Sequence, residues 1–156
     1  MPNIADRLAA LGLEIPALAA PAGAYIPAVI SGNLVFTSGQ LPFSGGVLPA
    51  TGKVGHSATA VTPEDAKTYA ASCALNALAA VQNAIGSLDR VTRVVKVVGF
   101  VASEPAFTAQ PSVINGASEL LQKIFGDIGV HARSAVGVAV LPLDSPVEVE
   151  LIIEFA

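Results

Sequence analysis

The chain has 156 residues, the size of one domain able to bury roughly two-thirds of its unfolded surface. Hydrophobic residues make up 53% and charged residues 13%, against a usual charged share of about 25%; yet no stretch reaches the ~18 consecutive apolar residues of a membrane span, because Asn76, Gly137 and Pro142 interrupt the richest ones. The formal charge of −4, a pI near 5.0 and the lack of any Lys/Arg cluster speak against nucleic acid, whose phosphates call for basic patches.

So little charge on so apolar a chain points to surface covered by further copies of itself. The single cysteine, Cys73, has no partner for an internal disulfide, and no basic, apolar, small-residue leader opens the sequence. A cytoplasmic location is the expectation.

In chain order, Asn3 suits the N-cap of a short helix from Ile4 to Leu11, with Gly12 at its C′ position. Residues 15–24, rich in Pro and Ala without a period, read as a connector. Tyr25 to Ile30 and Leu34 to Ser38 are strand-like around the turn residues Ser31-Gly32-Asn33, and Pro27 pushes the first strand to a sheet edge. Residues 43–55 carry four glycines and read as a loop or short strand. Thr62-Pro63-Glu64-Asp65 combines an N-cap, a first-turn proline and first-turn acids, which predicts a helix from Pro63 to Ile85 ending at Gly86. Its small-residue stripe of Ala66, Ala70, Cys73, Ala77, Val81 and Ala84 would lie close on a sheet. Val91 to Ala102, dense in β-branched residues, reads as a long central strand. Pro111 opens a second long helix to Phe125, stopped by Gly126, with Val113, Ala117, Leu121 and Ile124 inward. Ser134 to Leu141 and Val147 to Phe155 read as an antiparallel hairpin turning about Asp144. Helices on one face of a mixed sheet, an α+β fold, follow from this order.

The usual catalytic signatures are missing: there is no phosphate-binding glycine fingerprint, no CxxC and no paired-histidine metal motif. His56 and His131 stand far apart and read as structural, and Cys73 sits mid-stripe as buried packing. Arg133 stands at the threshold of an otherwise small, apolar strand, where a guanidinium needs either water or an anionic partner. Its planar fork could grip a ligand carboxylate. Glu148 shares a strand face with Glu150 and Glu154, the pattern of a wet side, but Ile152 breaks that face. Asn115 lies with Ser118, Glu119 and Gln122 on a polar helix side. Ser38-Gly39 ends a strand where a glycine lets backbone approach a ligand, and Tyr25 stands at the edge strand.

In this order the segments Ala24-Tyr25, Thr37-Ser38-Gly39-Gln40-Leu41-Pro42, Val113-Ile114-Asn115, Ala132-Arg133-Ser134, Leu141-Pro142 and Val147-Glu148-Val149-Glu150 resemble the YjgF/RidA family of reactive-intermediate deaminases, also labelled endoribonuclease L-PSP. The resemblance runs from about Pro21 to the C-terminus, within a single domain over 1–156 whose residues 1–16 look like an N-terminal extension. It implies a chorismate-mutase-like fold with two main helices on one face of the sheet. It also implies a homotrimer with clefts between subunits, and hydrolysis of 2-imino or 2-enamino acids to 2-oxo acids and ammonia without metal or cofactor. Arg133 would hold the carboxylate and Glu148 would orient or deprotonate water, with Tyr25, Ser38, Gly39, Asn115 and Ala135 lining the pocket. Ala135 stands where the family often has cysteine, so no reactive thiol is expected. A non-catalytic sensor of small 2-oxo or amino acids and an endoribonuclease are the competing readings.

The hairpin supplies a further argument. It would set Glu148 opposite Val140, on the order of 24 Å from Arg133 at about 3.4 Å per residue. Arg133 of one subunit is therefore expected to meet Glu148 of the next.

Overall fold

The computed structural model describes residues 3–18, 20, 21 and 23–156. Asn3 caps α1 (Ile4–Ala10), its side chain accepting from the Asp6 N–H at 2.7 Å, and Gly12 follows in the left-handed region at φ 69°. Within the expected connector, Ala19 and Ala22 lie outside the described residues; the rest has no regular structure. β1 (Ala28–Ser31) and β2 (Leu34–Thr37) form a hairpin whose two-residue turn carries a positive φ at Gly32 alone, the signature of a type II′ turn. β1 is the edge strand that Pro27 suggests. It starts later than Tyr25: Pro27, opposite Ser38 in the hairpin register, accepts from the Ser38 N–H but has no N–H to return the bond, and the Ile26 carbonyl is taken by the Ser38 hydroxyl.

α2 (Pro63–Ile85) has the bounds that its sequence signals give, with Thr62 accepting from the Asp65 N–H at 3.1 Å and Gly86 at φ 87°. Every residue of its small stripe is buried except Ala84, which is half-buried. β3 (Val91–Ala102) and α3 (Gln110–Phe125) follow, and Val113, Ala117, Leu121 and Ile124 are fully buried. α2 and α3 cross closely at Gly116, where an added Cβ would overlap the Lys67 carbonyl oxygen.

Five strands in the order β1-β2-β5-β3-β4 make one mixed sheet, with β4 spanning Ala132–Val138 and β5 spanning Val147–Phe155. The expected β4–β5 hairpin does not form. β4 pairs with β3 in parallel, Val97 beside Arg133, and β5 pairs with β3 antiparallel on its other side, Phe100 beside Glu148. The cause lies in β3, apolar on both faces and available on both edges, and in α3, which supplies the crossover that a parallel pair requires. The chain between the last two strands then rounds the end of β3: the Ser103 N–H donates to Val138 O at 3.1 Å and the Ala102 N–H to Pro146 O at 3.0 Å. The short 3-10 turn at Pro142–Asp144 makes that passage with Leu143 and Asp144 both at φ 57°.

α2 and α3 cover one face of the sheet, over a core that includes Val94, Val97, Val101, Val147, Val149, Leu151 and Ile153. Among the described residues, no helix or strand covers the other face. The rows Val29–Phe36–Ile152–Lys96 and Glu148–Phe100–Val136 run across it, and Val29, Phe36 and Val136 are 52%, 40% and 43% exposed. Among the described residues no helix is long and apolar enough to cross a membrane.

Candidate active site

Arg133 lies on β4 level with Val97 and Leu151, both buried beneath the helices. Side chains alternate across a strand, so Arg133 projects to the helix face at the β4 edge. There α3 presents Asn115 and Ser118, three positions apart and hence on one side of the helix. Arg133 Nη1 donates to Asn115 Oδ1 at 2.8 Å and to Ser118 Oγ at 3.2 Å. Ser118 is only 8% exposed, so Asn115 and Ser118 of the polar side of α3 are turned on the arginine, while Glu119 and Gln122 stay exposed. The next turn of the chain extends the cluster: His131 Nε2 lies 2.9 Å from Ser118 Oγ and His131 Nδ1 lies 2.6 Å from Gly129 O. Burial and the nearby Arg133 charge depress the His131 pKa against the raising effect of the Gly129 carbonyl.

The half-buried guanidinium has no carboxylate partner among the described residues, where the only ion pair joins Lys67 and Glu119. Its partners are neutral oxygens that occupy Nη1, and no described residue takes a hydrogen bond from Nε or Nη2. A cation desolvated on one side without a counter-charge is costly, and two parallel donors on its open edge match a carboxylate. Ala135 shares this face, packed against the core beside Gly99.

Glu148 belongs to the opposite face of the sheet, in the row with Phe100 and Val136. It is half-buried, and burial first and the Glu150 charge second push its pKa up. Gln40 bridges to Val149 with a 2.8 Å hydrogen bond, which brings Gly39 against Glu148; an added Cβ at Gly39 would overlap the Glu148 carboxylate. Gly39 thus makes room for an acid. Ser38 holds the entry to β1 through its 2.7 Å bond to Ile26 O, and Tyr25 stands next to it, 50% exposed.

The expected site residues therefore fall into two groups. Arg133, Asn115 and Ala135 stand at the β4 edge on the helix face, while Tyr25, Ser38, Gly39 and Glu148 stand on the β1, β2 and β5 side. Arg133 and Glu148 are two strands apart, about 10 Å laterally, with a three-residue offset of about 10 Å along the sheet, and on opposite faces. The hairpin argument for their separation fails with the hairpin, but one chain still cannot bring both to one small substrate. Sequence reasoning passed over Ser118 and His131 as members of the arginine cluster. Their spacing could have flagged them, Ser118 three after Asn115 on a helix and His131 two before Arg133, just ahead of β4.

The remaining candidates are structural. Cys73 is fully buried with Sγ 3.9 Å from Val147 O, and burial first and Glu148 second raise its pKa, leaving it a thiol. His56 stacks obliquely on Phe107, in a loop tied by Glu104 to the His56 and Ser57 N–H groups and the Ser57 hydroxyl. Those hydrogen bonds, Ser57 foremost, lower the Glu104 pKa.

The comparisons agree with this architecture. A family profile described as "YjgF/chorismate_mutase-like, putative endoribonuclease" matches residues 5–155. The chain is 47% identical over 153 residues to Protein TCP17 of Trypanosoma cruzi, covering 97% of this chain and 94% of that protein. The crystal structure of Atu1372 from Agrobacterium tumefaciens, a protein of unknown function, superposes with a TM-score of 0.88 at 44% identity over 98% of this chain and 92% of that one. The crystal structure of E. coli TdcF with bound serine superposes with a TM-score of 0.62 at 28% identity over 90% and 94% of the two chains.

Proposed function

This chain belongs to the YjgF/chorismate-mutase-like family, and from that premise we propose that it hydrolyses 2-imino acids, or their 2-enamino tautomers, to 2-oxo acids and ammonia at clefts between its own subunits. The observation that carries the proposal is Arg133: a half-buried guanidinium held through Nη1 by two neutral oxygens, with no carboxylate partner among the described residues. A small carboxylate is the charge it lacks. The serine bound to TdcF is a ligand of that chemical size and bears the same group.

An iminium carbon is already electrophilic, so the protein has to fix the substrate and deliver water. Glu148, its pKa raised toward the working range, accepts a proton from water as the oxygen attacks C2. Glu148 returns that proton to the amine nitrogen of the tetrahedral carbinolamine, the C2–N bond breaks, the hydroxyl proton passes to the departing ammonia, and the 2-oxo acid remains. Water supplies the oxygen and the electrons balance without any redox partner.

Arg133 and Glu148 meet only if one subunit's helix-side edge docks against another's open sheet face. Such a contact joins two different surfaces, and heterologous contacts of this kind form rings where the rotation between neighbours closes. A homotrimer is the assembly proposed. It also accounts for the apolar rows left bare on the outer face.

The test supplies 2-iminopropanoate in situ from serine and a dehydratase, and follows ammonia release above the uncatalysed rate. Arg133→Ala should lower turnover by at least tenfold, since stranding one partner of a buried charged contact costs about 2–5 kcal/mol. Ammonia release at the uncatalysed rate, with 2-oxobutyrate still bound, would replace the enzyme with a ligand sensor.

A further inference from the structure

The cluster behind Arg133 is more elaborate than holding an arginine in place requires, and its hydrogen-bond directions can be assigned from chemistry. Gly129 O can only accept, so the proton on His131 lies at Nδ1 across the 2.6 Å contact. The ring is neutral, consistent with burial and the Arg133 charge acting on it, so Nε2 is an acceptor and the Ser118 hydroxyl donates to it at 2.9 Å. With its hydrogen committed to His131, Ser118 Oγ offers its lone pairs to Arg133 Nη1 at 3.2 Å. Asn115 Oδ1 receives the other Nη1 hydrogen at 2.8 Å, which leaves the Asn115 amide N–H groups pointing away from the arginine.

Nothing in this chain of bonds can turn over without breaking another. The anchor is Gly129, where an added Cβ would lie 2.6 Å from Leu121 O, so the loop is pinned beneath α3. Both Nη1 hydrogens are used, so the guanidinium is fixed about its long axis, and its Nε–Nη2 edge has no hydrogen-bond partner among the described residues. Among the described residues none accepts from that edge or from the Asn115 amide.

Resting on the carboxylate reading above, we propose that Ser118 and His131 are positioning residues that lock Arg133 for side-on, bidentate capture of a carboxylate, and so make the site select a 2-oxo or 2-imino acid over its uncharged amide. A ligand amide has one acceptor oxygen and an NH2 group that would face donors, so it gains nothing from the lock. A carboxylate gains from both bonds. The relay acts on the ligand only through the arginine. Its loss should therefore lower carboxylate binding and leave amide binding unchanged, whereas general damage to the fold would lower both.

The experiment is calorimetric titration of 2-oxobutyrate and of 2-oxobutanamide into the wild-type oligomer and into Ser118→Ala, His131→Leu and His131→Gln, with thermal unfolding of each. Glutamine can keep an acceptor oxygen toward Ser118 without a titrating ring. Ser118→Ala and His131→Leu should weaken 2-oxobutyrate about tenfold and 2-oxobutanamide by less than about twofold. His131→Gln should bring the carboxylate back to within about threefold of wild type. If His131→Leu unfolds, Ser118→Ala, a good helix residue at a helix position, carries the comparison. Equal loss for both ligands, or no loss for either, overturns the relay while leaving the carboxylate site standing. Wild-type protein that binds the acid no better than the amide overturns the carboxylate reading itself, and the relay with it.

Discussion

Glu148 is the residue at which stability and activity pull apart. Burial and Glu150 raise its pKa in the folded state, so the folded chain holds a proton that the unfolded chain releases. The stabilisation this gives is fully present below the unfolded value of about 4.3 and is lost as pH rises through the raised folded value. At neutral pH the ionised carboxylate is thus a cost to the fold. Glu148→Gln should raise the melting temperature at pH 7, flatten its dependence on pH over this window, and abolish ammonia release. A lower melting temperature at pH 7 would mean that Glu148 has a charged partner in the assembly. In the wild type the base form disappears as pH falls through the same raised value, so turnover should have an acid limb above the ordinary glutamate range, measurable as kcat/KM against pH.

At the scale of elements, two glycines test which contacts shape the site. At Gly39 an added Cβ meets the far end of the flexible Glu148 side chain, whereas at Gly116 it meets the Lys67 backbone. Gly39→Ala should therefore leave the denaturation midpoint nearly unchanged and depress turnover by re-aiming the carboxylate. Gly116→Ala must push α2 and α3 apart and should cost about 1–3 kcal/mol in urea unfolding. The helices and central strands were legible because their signals are local: Thr62 with Pro63, Gly86, the β-branched run from Val91, and the alternation from Val147. The pairing of the last two strands was not. A turn with Pro142, Asp144 and Pro146 looks like a hairpin, and nothing local to it shows that β3 lies between its arms. The same gap hid the arginine cluster, since the parallel β3–β4 pairing decides which face Arg133 takes, and with it the fact that Asn115, Ser118 and His131 turn toward it.

For the whole molecule, the central claim is that no subunit holds a complete site. Arg133 with Asn115 stands on one surface and Glu148 with Gly39 on another, across the thickness of the sheet. The low charge that the composition shows and the apolar rows exposed on the outer face both fit the proposed covering subunit. This arrangement makes subunits with different lesions complementary. Arg133→Ala and Glu148→Gln proteins, each inactive alone, should regain ammonia release when unfolded together in equal amounts and reassembled. In a ring with one heterologous contact per subunit, random mixing pairs an intact Arg133 with an intact Glu148 at about a quarter of the clefts, so about a quarter of wild-type activity should return. Mixed oligomers, verified by mass, that stay at the level of the two inactive parents would contradict the shared site.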